Sequence, residues 1–254
     1  ELKAEIPATV TGQPFIPIDP LNQLAFMNEG FYGAFTPLPG KKRTFWSGDI
    51  NKYSVLNQAL YGKDGTSRLF DSAGLMDTSV QGWWSSSNGN GMAAQLPLKD
   101  KNRAVFTNLD SSANTNLTKI TVDHAYDNSL TGPVDPTNLI DPTNLNNLAT
   151  RNAWLNLLGY NIAFGAPVAK TELSAKPELR QLGALMHSTP IILTQKGEIS
   201  TSGGSLDTSK NRTDYILFGS TQGILHVVDS ATGEEKVAFV PKEMMSNQKN
   251  NFQH

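Results

Sequence analysis

Two histidines, a serine and an aspartate are the residues of this chain whose types could support nucleophilic catalysis. His187 directly precedes Ser188, and His226 lies three residues before Asp229. A serine nucleophile must hydrogen-bond to an imidazole that a carboxylate orients. Neighbours on a strand point to opposite faces, so His187 and Ser188 cannot pair directly, and the chain has no Gly-x-Ser-x-Gly elbow. We therefore expect both histidines to be packed residues that donate to carbonyls or to Asp229, with His226 and Asp229 locking turns together.

Oxygen-bearing side chains alternate along one polar segment, as they do in a calcium loop. Asp207, Ser209 and Asn211 would supply the first, third and fifth ligands, and Asp214 a closing carboxylate. The glycine that such a loop needs is missing, because Arg212 occupies its position, and Asp214 is displaced from the usual closing position. We expect a solvated loop here, with a metal site as the weaker alternative.

Two further pairs of side chains could contribute to binding or catalysis. Trp83 and Trp84 precede the flexible run Ser85–Gly91 and could form a sugar-binding platform on the surface. Burial as core anchors is the more expected role, because aromatic side chains carry large apolar areas. Glu234 and Glu235 are adjacent, and adjacent carboxylates cannot present the opposed geometry of a glycosidase pair. We expect both glutamates to be solvated.

His226, Asp229 and Glu235 lie in a segment of short apolar runs joined by tight turns. The runs are Tyr215–Phe218, Ile224–Val228 and Lys236–Val240, and the turns between them are Gly219–Gly223 and Asp229–Gly233. Turn clusters of Gly, Ser, Thr and Asp between β-branched and aromatic runs predict a β-meander. Meanders of this kind form the blades of β-propellers.

Three blocks of the sequence resemble the PilY/PilC family of type IV pilus tip proteins. The segment Gly223–Pro241 is similar to the family's Gly-x-Leu-His-x-x-Asp core, its Thr-Gly-x-Glu turn and its Phe-Ile-Pro ending. Leu182–Pro190 resembles the Gly-Asp-x-x-His-Ser-x-Pro block, with Ala184 where Asp is usual. Thr44–Tyr53 resembles the Trp-x-Gly-Asn-Leu-Lys-x-Tyr block, with Asp49 in place of Asn. The motif residues that carry the resemblance are Trp46, Tyr53, His187, Pro190, Gly223, His226, Asp229 and Gly233.

The resemblance implies a fold, a location and partners. The fold would be mainly β, with residues 1–254 forming one quinoprotein-like β-propeller domain that is incomplete in this segment and carries long loop insertions. The protein would be exported to the pilus tip or cell surface and would be no enzyme, acting in surface attachment, pilus assembly and twitching motility. Its partners would be minor pilins and a host or abiotic surface. No cofactor is expected in this segment, since the family's calcium loop would follow it in the parent protein.

Proline content and hydrophobic periodicity divide the chain further. Residues 1–40 are rich in proline, which removes ladder hydrogen-bond donors, so we expect an extended lead-in without long strands. Residues 110–160 are expected to be a loop and helix insertion. Apolar residues there recur at helical spacing ahead of Gly159, which predicts a helix from about Pro142 to Leu158.

Composition excludes several classes of function. The chain has 254 residues with 21 basic and 23 acidic side chains, so it lacks the charge footprint of a nucleic-acid partner. It has no cysteine, which excludes disulfides, thiolate zinc sites and cysteine nucleophiles. No apolar run approaches the roughly 20 residues that a membrane span requires. We expect any signal peptide to lie upstream of Glu1.

The main alternative is an enzyme, a quinoprotein dehydrogenase that holds pyrroloquinoline quinone in a propeller. The segment Gly223–Gly233 is similar to its blade repeat, but the chain has only one good copy and no recurring blade tryptophan. A WD-type scaffold is a third possibility, disfavoured by the lack of regularly spaced Trp-Asp endings. If the ring is incomplete, Lys236–Val240 should leave an unpaired edge, and the chain should associate as its concentration rises.

Overall fold

The computed structural model of the protein describes residues 10–12, 14–37, 46–101, 103–108, 117–126, 145–186, 188–241, 243–244 and 252. The fold is mainly β, with 36% strand against 14% helix. The strands are β1 Val10–Thr11, β2 Glu29–Thr36, β3 Ser47–Leu56, β4 Ala59–Tyr61, β5 Val105–Thr107, β6 Thr118–Lys119, β7 Ile191–Glu198, β8 Thr201–Ser202, β9 Ser205–Leu206, β10 Lys210–Gly219, β11 Leu225–Asp229 and β12 Glu235–Phe239. The helices are α1 Leu145–Leu157 and short 3₁₀ helices at Ala93–Gln95, Lys99–Lys101, Asp123–Ala125 and Lys170–Ala175.

The first sheet is antiparallel and has the strand order β1-β2-β3-β4. Side chains alternate across a sheet, and both of its faces carry buried apolar residues. Phe31 and Ile50 belong to a cluster shared with the second sheet, which includes Phe218. Tyr32 and Tyr53 belong to a separate cluster on the opposite face. The first sheet is therefore covered on both sides.

The second sheet confirms the predicted meander and extends it. Its order is β6-β5-β12-β11-β10-β7, so β7, β10, β11 and β12 form four consecutive antiparallel neighbours. Strand β10 buries alternate residues, including Ile216 and Phe218, as a strand with one face in the core should.

The edge expected to be open at Lys236–Val240 is not open. Strand β5 pairs with β12 in parallel, with Val105 beside Ala238 and Phe106 beside Phe239. The backbone N–H of Val240 also donates to the carbonyl of Phe106 at 2.8 Å. The prediction of an unpaired edge at β12 is wrong, because a strand more than a hundred residues earlier in the sequence covers it. Within the described residues, the sheets close no barrel.

Helix α1 confirms the predicted helix, and the described part of it begins at Leu145. Gly159 follows at φ +95°, a left-handed conformation that glycine adopts without strain, and it ends the helix as predicted. Ala153 and Leu155 are fully buried, in the same core cluster as Val105 and Ala238 of the second sheet. The helix therefore belongs to the main core. Residues 142–144 lie outside the described residues.

Two expectations about loops are wrong. The proline-rich lead-in contains an eight-residue strand, β2, which lies in the proline-free stretch between Pro20 and Pro37. The polar segment after β7 contains the β8–β9 hairpin, and β10 begins within it at Lys210. Strands β8 and β9 were not predicted because all of their residues are exposed, so their sequences show no alternation of apolar and polar residues.

Candidate functional site

The three sequence blocks that carry the family resemblance meet in space. The N–H of Gly48 donates to the carbonyl of Leu182 at 2.9 Å, and the N–H of Ala184 donates to the carbonyl of Trp46 at 3.0 Å. The N–H of Thr221, in the turn that leads into the third block, donates to the carbonyl of Ala184 at 2.9 Å. The third block itself contacts the first, because Lys52 Nζ donates to the carbonyl of Ser230 at 3.2 Å. The block around Leu182 thus bridges the first sheet and the meander turn. We call these three segments the block junction.

Glycines make this junction possible. A Cβ at Gly48 would lie 2.5 Å from the Cα of Ala184, and a Cβ at Gly183 would lie 2.9 Å from the backbone nitrogen of Gln222. Backbone atoms cannot yield to such contacts without a shift of the chain. The N–H of Gly219 also donates to Ser188 Oγ at 2.8 Å. Ser188 is therefore a structural acceptor of the junction.

The remaining motif residues of the first two blocks lie at its edges. Trp46 stacks on Phe35 with ring centroids 5.6 Å apart and an interplanar angle of 11°. Tyr53 is buried, and burial together with the charges of Asp49 and Tyr32 raises the pKa of its hydroxyl. Pro190 directly precedes β7. His187 lies outside the described residues.

His226 is fully buried at the centre of a polar network. Its Nδ1 lies 2.7 Å from Glu235 Oε1, and its Nε2 lies 3.0 Å from Ser220 Oγ. Arg103 donates from Nη2 to the same Glu235 Oε1 at 2.8 Å and from Nε to Oε2. The third Arg103 bond runs from Nη1 to the carbonyl of Leu157 at 2.8 Å. The network therefore ties β11 and β12 to the segment before β5 and to the end of α1.

Burial and the neighbouring charges determine the protonation states of Glu235 and His226. Burial alone would raise the pKa of Glu235, but the charge and hydrogen bonds of Arg103, with the bond from His226, hold it well below its ordinary value. Burial lowers the pKa of His226, and Arg103 adds to that effect against the opposing pull of Glu235. The imidazole is thus neutral, with Nδ1–H donating to the carboxylate and Nε2 accepting from Ser220.

Asp229 closes one turn of the meander as predicted, but His226 contacts Glu235 and Ser220 in place of the expected backbone carbonyls or Asp229. Asp229 Oδ1 accepts from the N–H groups of Ala231 and Thr232 at 2.9 and 3.1 Å, which closes the turn before β12. Gly233 has a φ of +76°, and a Cβ there would lie 2.5 Å from Trp84 Cγ. The second meander turn is therefore built directly against the tryptophan of another segment. Gly223, in the first turn, has a φ of +75°.

The tryptophan pair divides between core and surface. Trp84 is buried, donates from Nε1 to the carbonyl of Ser230 at 3.0 Å and packs on Phe31 with centroids 5.6 Å apart. Trp83 is 51% exposed and donates from Nε1 to Ser54 Oγ at 3.0 Å. Trp84 is thus a core anchor, and Trp83 is left as the candidate for surface binding, next to the run 85–90, of which residues 86–90 are exposed.

Each of the four calcium candidates already has a hydrogen-bond partner of its own. Asp207 accepts from Ser200 Oγ, while Ser209 Oγ donates to the buried carboxylate of Asp19 at 2.7 Å. Asn211 Nδ2 donates to Glu198, and Asp214 accepts from Thr194 Oγ1 at 2.6 Å.

Positive charge also disfavours a cation there. Ser209, Asn211 and Asp214 line a cavity of about 400 Å³ that Lys52 and Arg212 line as well. Arg212 Nε lies 2.7 Å from Asp214 Oδ2, so this carboxylate already has a cationic partner. Within the described residues, no group of three or more His, Asp or Glu side chains could hold a metal ion.

Asp49 is a titratable group that sequence reasoning noticed only as a departure from the family block. Its Oδ1 accepts from the N–H of Ala93 at 2.9 Å and from the N–H of Ile50 at 2.8 Å. Burial raises the pKa of its carboxyl to about 7, and these backbone donors offset only part of that effect. A Cβ at Gly91 would lie 2.3 Å from Asp49 Oδ2, so this glycine lets the loop close over the carboxyl.

Sequence reasoning missed the roles of Glu235 and Arg103. Glu235 is buried, not solvated as expected, whereas its neighbour Glu234 is exposed. The one available signal was the Thr-Gly-x-Glu pattern, in which Glu235 holds the fixed position. Nothing in the sequence near Arg103 indicated its partner, which lies more than a hundred residues away.

Comparisons with known proteins found no relative of this chain. No family model, no curated protein and no solved structure matches it. The resemblance to the PilY/PilC family therefore rests on the residues of the three sequence blocks. Among the described residues, no helix has the length and apolar character to cross a bilayer.

Proposed function

We propose that this chain is the propeller-type module of a PilY/PilC-like protein, an exported, non-enzymatic adhesin and assembly factor at the tip of type IV pili. The observation that carries the proposal is the block junction. Backbone hydrogen bonds of Gly48 and Ala184 join the first two blocks, and Lys52 Nζ of the first block donates to the carbonyl of Ser230 in the third. A chance resemblance in three separate places gives no reason for the three places to touch. A shared fold gives that reason.

The strand arrangement is compatible with the finer fold assignment. Strands β7, β10, β11 and β12 form a four-stranded antiparallel meander, which is the strand number of one propeller blade. We propose that further blades complete the ring in the parent protein. A ring of blades suits a tip protein that bears force, because its sheet edges are short and protected.

The motif residues support a structural role for the motif rather than a catalytic one. His226 is fully buried, and both of its nitrogens have partners in Glu235 and Ser220. A general base must reach a substrate, which a buried and doubly bonded imidazole does not. Ser188 is used by the backbone of Gly219. A module that recognises and holds is thus favoured over an enzyme.

The contact surface would be built from exposed loops. We propose that Trp83 and the adjacent run 85–90 contact the host or abiotic surface, and that minor pilins contact another part of the module. Loop side chains on a rigid scaffold are common binding elements. Trp83 offers a half-exposed indole whose orientation is fixed by its bond to Ser54.

The test is deletion and complementation in the native host. The parent gene is deleted and restored as wild type, as Gly183→Val or as Trp83→Ala, with surface pili, twitching zones and adherent cells counted. We expect deletion to reduce pili and twitching, and wild type to restore both. Gly183→Val should fail to restore them because a larger side chain meets Gln222, whereas Trp83→Ala should restore pili but reduce attachment.

Two results would contradict the proposal. Normal pili and twitching in the deletion strain would remove the pilus role. Alcohol oxidation coupled to a dye, after addition of pyrroloquinoline quinone and calcium to the purified chain, would replace the adhesin with the quinoprotein alternative.

A further inference from the structure

A basic cavity lies where the segment before β5, strand β6 and the 3₁₀ helix Lys170–Ala175 come together. Its volume is about 540 Å³. Four cationic side chains line it, those of Lys99, Arg103, Lys119 and Lys170, against one carboxylate, that of Asp123. The chain as a whole carries a net charge of −2, so this concentration of positive charge is a local feature.

Two of the four cations have no carboxylate partner within the described part of the chain. Lys170 pairs with Asp123 at 2.7 Å, and the charge of Arg103 is balanced by Glu235. Among the described residues, Lys99 Nζ donates to the backbone carbonyls of Ser174, at 2.7 Å, and Lys176. Carbonyls satisfy the N–H groups of an ammonium but do not neutralise its charge. The excess positive charge therefore comes from Lys99 and from the exposed Lys119.

Arg103 adds fixed donors to the wall of this cavity. It is only 5% exposed, and its bonds to Glu235 and Leu157 use three of its five N–H groups. The ion pair with Glu235 holds the guanidinium in place. Preorganised donors bind an anion without the entropy loss that a free side chain would incur.

Apolar side chains form the remainder of the wall. Ile120 and Leu158 are buried and line the cavity together with Leu173. The volume falls within the usual range of about 300–1,000 Å³ for small-molecule sites. An inorganic anion would fill a small part of it and leave the apolar wall unused.

We propose that this cavity binds a small organic phosphate, with its phosphate group between Lys99, Lys119 and Arg103 and a compact apolar body against Ile120 and Leu158. A phosphate monoester carries a charge of about −1.5 to −2 at neutral pH, which matches the two ammonium groups that have no carboxylate partner among the described residues. The site is distinct from the block junction and from Trp83. It does not depend on the pilus role.

The test is a titration of the purified chain, in which binding is measured by calorimetry and by amide NMR shifts. The probes are phenyl phosphate, inorganic phosphate and benzyl alcohol. We expect phenyl phosphate to bind at least about fivefold more tightly than inorganic phosphate, because the ring buries apolar area, and benzyl alcohol to show no binding. Binding should weaken when salt rises from about 50 to about 300 mM, because the cavity mouth is open to solvent.

Matched lysine variants decide whether the cavity is the site. Lys119→Gln and Lys99→Gln should each weaken phenyl phosphate about five- to tenfold, the loss of one charge-assisted hydrogen bond. Lys101→Gln is the control, because Lys101 is exposed on the same 3₁₀ helix as Lys99 and does not line the cavity. Equal weakening by Lys101→Gln and Lys119→Gln would overturn the proposal. So would the absence of binding to the wild-type chain at about 10 mM phenyl phosphate, because a dissociation constant above that concentration is too weak for a specific site. Lys119 is exposed, so its variant remains decisive if Lys99→Gln fails to fold.

Discussion

Asp49→Asn should remove a pH-dependent loss of stability that the wild-type chain carries. In the folded protein the pKa of Asp49 is raised to about 7, and the ordinary value is 3.8. Between these two pH values the folded state keeps a proton that the unfolded state has released. The free energy of unfolding therefore falls as pH rises from about 4 to 7, and the loss is complete above that window.

The magnitude follows from the size of the shift. Each pKa unit corresponds to about 1.4 kcal/mol, so a shift of roughly three units sets a ceiling of about 4 kcal/mol. Asp49 keeps partial solvent access, and we expect about 2 kcal/mol in practice. Asparagine keeps the shape of the side chain and the Oδ1 acceptor for Ala93 and Ile50, and it has no proton to lose. It is also the residue of the resembled family block at this position.

The assay is urea unfolding of wild type and Asp49→Asn at pH 4.5, 6.0 and 8.0. We expect the two proteins to be similar at the lowest pH and the variant to be about 2 kcal/mol more stable at the highest. A constant difference across this range, or a less stable variant at pH 8.0, would contradict a raised pKa for Asp49.

Asp64→Asn is the matched control for this experiment. Hydrogen bonds from Ser67 and Thr66 lower the pKa of Asp64 to about 2, so its carboxyl is ionised in both the folded and the unfolded state throughout the assay range. Its stabilising effect is present above its unfolded pKa and is lost only as pH falls towards 2. The variant should therefore shift stability by the same amount at all three pH values.

Two substitutions with matched controls test the packing of the meander. Glu235→Gln should lower the free energy of unfolding by about 3–5 kcal/mol in denaturant, because it leaves the charge of Arg103 buried without a partner. Glu234→Gln should lower it by less than about 0.5 kcal/mol. Equal losses would contradict the buried ion pair. Gly233→Ala should cost about 3 kcal/mol, the sum of a left-handed backbone penalty and a clash with a tryptophan ring, whereas Gly65→Ala, at φ +71° in open space, should cost only about 1–2 kcal/mol. Near-UV circular dichroism should show the clash in the first glycine variant alone.

Local signals made the meander and the helix predictable. The turns at Gly223 and Gly233 need φ values near +75°, and glycine marks such positions in any sequence. Helix α1 carries its apolar spacing and its terminating Gly159 within one short segment. Each of these features depends on residues that are neighbours in the chain.

Non-local pairing was not predictable from the same patterns. The parallel contact between β5 and β12 joins two strands far apart in sequence, and a three-residue strand such as Val105–Thr107 has too little periodicity to indicate a partner. The burial of Glu235 follows from the position of Arg103, which no local pattern reveals. The separate positions of Trp83 and Trp84 follow from where the second meander turn packs.

The pilus role is tested most sharply by locating this protein in the cells of its native host. Antibody against this chain is applied to intact cells and to sheared pili of the native host, with the deletion strain as the blank, and gold label is counted by electron microscopy. We expect label at pilus ends and in the sheared fraction, and we expect the deletion strain to lose it. Label confined to the cell interior, with unlabelled pili, would contradict it.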